Sequence, residues 1–239
     1  MGCPAPKVER KCEGIELALK NPEAAVRAVA LLVEKSRLPV TVKTRIQSEE
    51  DSSSTVSFCL KLQNVGVSAI TIHGRVKKNF YSGIVYTNII SDIRENLSIP
   101  VIANGGIFSR KDFLELLQKT GCSCGMIARG ALGNPWIFNE IIDSKFEAPT
   151  VNEFADEILC YMNDMLEVYG KKFAYVVARK TLLEFLKGRG YSGSLRASIS
   201  SLCNHDDLLR LIDTIRLGPS ESYWDSLERN EMQRRLRRG

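Results

Sequence analysis

The chain has 239 residues, 44% of them hydrophobic and 26% charged, which suits a globular protein of about one large or two small domains with a sizeable core. No apolar stretch approaches the roughly 20 residues that cross a bilayer, and no charged start leads into an apolar signal core, so a cytoplasmic protein without a membrane span is expected. Seven scattered cysteines exclude a disulfide framework, Cys122-Ser-Cys124 has no second Cys or His pair to complete a zinc site, so no metal is expected, and a net charge of +5 is only a mild bias toward acidic partners.

In chain order, Met1-Gly-Cys-Pro-Ala-Pro-Lys-Val reads as a turn, with Cys3-Pro4 placed as in a loop that follows a strand. From Gly14 to Lys35 the apolar spacing is helical and breaks near Asn21-Pro22, where Asn21 can cap a second helix. Pro39 to Arg45 is a strand rich in β-branched residues that ends in cations. A polar loop from Glu49 to Ser54 precedes an amphipathic helix over Thr55 to Asn64. Val67 to His73 is again an apolar strand, ending in His73-Gly74-Arg75, and Thr87 to Glu95 is helical. Ile99, Val101, Ile102 and Ala103 form a nearly continuous apolar run that stops at Asn104-Gly105-Gly106, the pattern of a strand buried on both faces in a parallel sheet. Ser109 caps a helix from Arg110 to Lys119, and Gly125 to Ala131 is a fourth strand with its own polar end, Ala128-Arg129-Gly130.

Four strand–helix units in succession give either an open doubly wound sheet or part of a (β/α)8 barrel. After Glu147-Ala-Pro-Thr150 only helical runs are read: Val151 to Tyr169, stopped by Gly170, then Lys172 to Lys187, Ser194 to Ser201 and Asp206 to Arg216. The residues from 217 to 239 read as a polar tail. The domain reading is therefore 1–147 α/β, 151–216 helical and 217–239 tail.

In such a sheet the polar strand ends converge at the carboxyl ends of the strands, where α/β folds place their ligands. Lys43, Arg45, His73, Arg75, Asn104, Gly105, Gly106, Ala128, Arg129 and Gly130 include cations, one imidazole, an amide and glycine turns, and no carboxylate. That inventory suits a planar, electron-accepting ligand with a phosphate. Further on, Lys171, Lys172, Arg179, Lys180, Lys187, Arg189 and Arg196 face Glu184 alone in sequence. Positions 172, 179, 180 and 187 recur at near-helical spacing, as a face lying along nucleic-acid phosphates would require.

Six blocks carry a resemblance in order and spacing: Gly2-Cys-Pro-Ala-Pro-Lys-Val, Pro39-Val-Thr-Val-Lys-Thr-Arg, Ile72-His-Gly-Arg, Phe80-Tyr-Ser-Gly, Ile99-Pro-Val-Ile-Ala-Asn-Gly-Gly and Ile127-Ala-Arg-Gly-Ala-Leu-Gly-Asn-Pro-Trp-Ile-Phe. The chain resembles the tRNA-dihydrouridine synthases from its first residue to about Ile142, and its helical part is similar to that family's C-terminal domain. The resemblance implies an FMN-dependent oxidoreductase that uses NADPH to reduce a uridine of tRNA to 5,6-dihydrouridine. It implies Cys3 as proton donor and Lys43, His73, Asn104, Gly105, Gly106, Ala128 and Arg129 at the FMN; the cations Arg75, Arg179, Lys180 and Lys187 are expected to face tRNA. A cysteine thiol titrates at about 8.5 in model peptides, so it holds a proton to give at neutral pH.

The family's barrel has eight units and this chain supplies four, so the expected fold is the C-terminal half of a (β/α)8 barrel followed by a small all-helical domain, from a truncated product or a late start. The full-length family implies a monomer. A half barrel with open strand edges is expected to dimerise or aggregate. The alternatives are a non-catalytic RNA-binding remnant and another FMN-dependent barrel oxidoreductase, such as a dihydroorotate dehydrogenase relative.

Overall fold

A computed structural model describes residues 1–219. Its strands are β1 (Thr41–Arg45), β2 (Ala69–His73), β3 (Val101–Asn104) and β4 (Cys124–Met126), which form one parallel sheet in the order β1-β2-β3-β4. The helices up to β4 are α1 (Pro6–Glu9), α2 (Ile15–Lys20), α3 (Pro22–Lys35), α4 (Ser53–Asn64), α5 (Thr87–Asn96) and α6 (Arg110–Thr120). The chain closes on itself as two units, Met1–Arg129 and the residues from Gly130 onward. The sequence reading draws that division later, after position 147.

The local signals explain why these segments fold as they do. Asn21 accepts a hydrogen bond from the backbone N–H of Ala24 and so starts α3, with Pro22 in the first turn where no N–H is needed. Ser109 does the same for α6 through Asp112 N at 3.2 Å, and Gly121 ends that helix in the left-handed conformation. The expected strand over 125–131 is shorter than its sequence pattern. Its partner β3 ends at Asn104 opposite Met126, so pairing stops there, and Arg129–Ala131 turn as a 3-10 segment. α1 overlaps the end of the segment read as a turn; at four residues it leaves no periodicity to detect.

Alternate residues of the strands build the core. Val42, Ile70, Ile72, Val101 and Ala103 are buried against Val26 and Val29 of α3, Phe58 and Leu62 of α4, Ile89, Ile90 and Ile93 of α5 and Leu116 of α6 in one cluster. The other face follows a different course. Ile102, expected to be buried, is half-buried, and Lys43 and Cys124 in the same row are exposed. The core-forming residues of the sheet come from one face, and the edges of β1 and β4 have no further strand among the described residues.

In the second unit the described residues hold α7 (Ile137–Ile142), α8 (Val151–Leu186), α9 (Gly193–Ser198) and α10 (His205–Arg216), and no strand. Thr150 and Glu153 form a reciprocal capping box at the start of α8. Gly170, with φ +67° and ψ 165°, interrupts α8 where the sequence reading stops its helix. Phe154, Ile158, Met162, Tyr175, Leu182 and Phe185 of α8 share a core with Leu208, Leu211, Ile212 and Ile215 of α10. α7 begins in the last two residues of the sixth quoted block, Ile137 and Phe138, and escapes the periodicity reading because it is only six residues long. Most of the expected tail, 220–239, lies outside the described residues.

Leu62 of α4 is fully buried in the first unit's core, so Leu62→Ala is expected to cost about 3 kcal/mol of unfolding free energy. Urea denaturation of both proteins checks this; a loss under about 1 kcal/mol would mean that the first unit's core does not depend on that helix contact.

Candidate active site

The parallel register puts the polar strand ends in a single row: Arg45 opposite His73, His73 opposite Asn104, and Asn104 opposite Met126. Side chains in such a row leave the sheet on the same face. They open on a cavity of about 370 Å³ lined by Met1 to Pro4, Lys43, Arg45, His73, Tyr81, Asn104 to Phe108, Met126, Ala128 and Arg129. That size is within the usual range for small-molecule sites. No carboxylate lines it.

The first three residues reach this place along β1. The Met1 amine donates to Lys43 O at 2.8 Å, Thr44 Oγ1 donates to Met1 O at 3.3 Å, and Arg45 Nε donates to Gly2 O at 2.9 Å. Cys3 follows, exposed in the cavity wall, and its carbonyl accepts from Ile15 N at the start of α2. The glycine turn after β3 is demanded by space. Gly105 has φ +131°, and a Cβ there would stand 3.0 Å from His73 Cδ2 and 3.1 Å from Val85 Cγ2. Asn104 is fixed by a hydrogen bond from Nδ2 to Met126 O at 2.8 Å.

One loop is held by three arginines. Arg45 Nη1 donates to Phe80 O at 2.8 Å, Arg129 Nη2 to Tyr81 O at 3.1 Å, and Arg75 Nε and Nη2 to Gly83 O at 2.9 and 2.8 Å. The Arg129 guanidinium also lies over the rings of Tyr81 and Phe108, 4.7 and 5.5 Å from their centroids. Burial, followed by the nearby Arg45, Lys43, Arg75 and Arg129, drives the His73 imidazole down to about 3, so it is neutral at physiological pH. Burial and then Arg45 lower Lys43 as well, and burial with Arg129 and Arg45 brings Arg75 down to about 10.

Cys3, Lys43, His73, Asn104, Gly105, Gly106, Ala128 and Arg129 therefore all line one cavity. Arg75 does not: it is 5% exposed and behind the wall, which leaves it no surface to offer an RNA phosphate. In the second unit, Arg179 is half-buried and donates through Nε and Nη2 to Leu202 O at 3.1 and 2.8 Å, so it ties α8 to the loop before α10. Lys180 is exposed, and Lys187 is exposed beside Glu184 at 3.2 Å. Tyr81, Phe108 and Met126 line the cavity without having been singled out as site residues. Tyr81 stood in a quoted block, and its place between two arginines was its only further signal, visible solely in three dimensions.

Comparison with known proteins decides the family. The dihydrouridine synthase (Dus) family model matches residues 1–216. The chain belongs to the dihydrouridine synthase family. Among its relatives, a probable tRNA-dihydrouridine synthase of Rickettsia conorii is 31% identical over 236 residues, covering 97% of this chain and 69% of the relative. The tRNA-dihydrouridine synthase B of Pasteurella multocida is 34% identical over 194 residues, covering 79% of this chain and 58% of that protein. A probable tRNA-dihydrouridine synthase 1 of Synechocystis is 35% identical over 228 residues, covering 91% and 63%. The alignments thus span about three fifths to two thirds of the relatives' lengths. Among the described residues no helix is long and apolar enough to cross a membrane, and no group of three or more His, Cys, Asp or Glu is placed to hold a metal.

Gly105→Ala is expected to destabilise the first unit by about 1–3 kcal/mol, because it combines a backbone angle hostile to an L residue with contacts on His73 and Val85. Thermal or urea unfolding reads this directly. Unchanged stability would show that the turn relaxes freely.

Proposed function

We propose that this chain forms the flavin- and RNA-binding part of a cytoplasmic enzyme that reduces a uridine of tRNA to 5,6-dihydrouridine, with FMN as cofactor and NADPH as reductant. The observation that carries this reading is the convergence of Cys3 with a carboxylate-free set of cations, an imidazole and a glycine turn on one cavity at the carboxyl ends of parallel strands. The half-barrel reading of the fold belongs to the same proposal: a four-stranded parallel sheet with one face built into the core supports it.

The donor set fits FMN. Arg129 and the backbone amides of Gly105 and Gly106 would hold its phosphate, and Lys43, His73 and Asn104 would face its ring, with Ala128 leaving space beside them. Such a bound FMN, reduced by NADPH, would supply the hydride that C6 of the uracil needs. The Cys3 thiol gives its proton to C5 and is re-protonated from solvent, which completes the addition of two hydrogens across the double bond. The exposed Lys171, Lys172, Lys180, Lys187 and Arg196 would draw the tRNA backbone by neutralising phosphates.

The test begins with purified chain and excess FMN, followed by gel filtration and a dihydrouridine assay on tRNA. Retained flavin absorbance and product formation are expected. Cys3→Ala should keep the flavin and lose about a hundredfold or more in rate. Flavin that does not stay bound would defeat the catalytic reading and, if tRNA still binds, favour a non-catalytic RNA-binding role. Full activity in Cys3→Ala would remove the thiol from the mechanism. The elution position reports whether the unpaired edges of β1 and β4 bring two copies together.

The tRNA reading has its own check. Lys180→Glu combined with Lys187→Glu should weaken tRNA binding across sequences and lower the slope of log K against log salt by about 2. Arg179→Glu should in addition lower stability, since it breaks the bond to Leu202 O. Equal affinity across a salt series in the double variant would move the RNA surface elsewhere.

A further inference from the structure

Arg75 stands behind the cavity wall, and each nitrogen of its guanidinium has a contact. Nε and Nη2 share Gly83 O, and Nη1 lies 3.4 Å from His73 Nε2, a long contact inside a buried pair. A guanidinium donates and never accepts. His73 Nε2 must therefore be the acceptor and carry no proton, which in a neutral imidazole leaves the proton on Nδ1. We infer that Arg75 is a positioning residue that locks His73 as its Nδ1–H tautomer, so that His73 offers the cavity a fixed N–H donor.

The packing around the ring supports the assignment independently. The edge bearing Cδ2 and Nε2 rests on Gly105, where even a Cβ would stand 3.0 and 3.4 Å from those two atoms. No protein partner for Nδ1 occurs among the described residues. Nor is it a buried orphan, since the one partnerless buried side-chain nitrogen or oxygen among them is Gln47 Nε2. With His73 in the cavity wall and its Nε2 edge against Gly105 and Arg75, Nδ1 is the ring nitrogen that this packing leaves for a ligand. The charged or titratable groups around it are Lys43 and Arg45 of β1, Arg75 after β2, Tyr81 of the loop held by the arginines, Arg129 after β4, and Cys3. The four cations oppose a second proton on the ring. The ligand atom this donor suits is a carbonyl oxygen or a bare ring nitrogen of a planar heterocycle. Only the choice of FMN as that heterocycle rests on the proposed function.

The experiment uses the full chain labelled with 15N in its histidine rings. There are two histidines, His73 and the exposed His205, and His205→Gln assigns the signals. The expected spectrum has His73 protonated at Nδ1 and bare at Nε2, unchanged between pH 8 and pH 5. Arg75→Met should give mixed tautomers and a raised titration point, because a donor and a cation are both lost. Circular dichroism confirms that the variant is folded, and the wild-type spectrum decides the matter even where it is not. A wild-type proton on Nε2, or titration of His73 above pH 5, would overturn the inference.

FMN titration provides the second readout. Asn can place an N–H near the Nδ1 position and Gln cannot, so His73→Asn should bind within about threefold of wild type and His73→Gln about tenfold more weakly. Equal loss in both variants would overturn the donor role. FMN that binds neither wild type nor variants, with the Nδ1–H spectrum intact, would defeat the flavin reading while the tautomer assignment stands.

Discussion

Three guanidinium groups share one end of the sheet with no carboxylate between them, and the rest of the site depends on how that repulsion is met. Arg45, Arg75 and Arg129 are satisfied by carbonyl oxygens of the loop at Phe80, Tyr81 and Gly83. Carbonyls fill the donors' geometry without cancelling the charge. The acids that fix this loop are kept on its outer side: Glu16 and Glu9 pair with Lys77, while Glu49 takes Lys78 and Tyr86. Charge is thereby sorted, with cations toward the cavity and ion pairs away from it. A concave wall of one sign focuses its field inward and draws an anion.

That arrangement stands on the register of the sheet. Arg45, His73 and Asn104 share a row only because Thr44, Ile72 and Ala103 share the next one, facing the other way. A slip of one residue in β1 would exchange its two rows and turn Lys43 and Arg45 toward the apolar core that holds Ile89, Ile90 and Ile93. The helices that pack on the apolar face therefore fix the chemistry on the polar one. Gly105 adds the last constraint, because its lack of a side chain lets the His73 ring lie flush against the turn.

Much of this was legible in the sequence. Apolar runs ending in polar clusters marked all four strands and the end at which the cavity opens, and Asn21, Ser109 and Thr150 marked helix starts that their hydrogen bonds explain. What stayed hidden was the choice of acceptor. Arg179 reads as a free cation for RNA because spacing places a side chain on a face and says nothing of a carbonyl waiting there, and Arg75 reads as a free cation at a strand end for want of the same information. Gly83 O and Leu202 O are those carbonyls, and backbone oxygens leave no trace in residue identity. The same limit hid the stacking of Tyr81 with Arg129, and the shortness of α1 and α7 kept them below any periodic signal.

The electrostatics of the cavity also divide its labour. His73, held neutral by burial and four cations, has no second proton to lose near neutral pH, so it can orient a ligand and cannot act as an acid. Arg45 and Arg129 are bound to the loop and keep their protons. Of the side chains in the wall, that leaves the Lys43 ammonium, the Tyr81 hydroxyl and the Cys3 thiol as proton sources. Lys43 deprotonated would remove a cation from the cavity, and Tyr81 has its ring packed against two arginines. The thiol alone can give a proton without changing the set of cations around it, which is the physical support for the proposal that Cys3 is the proton donor.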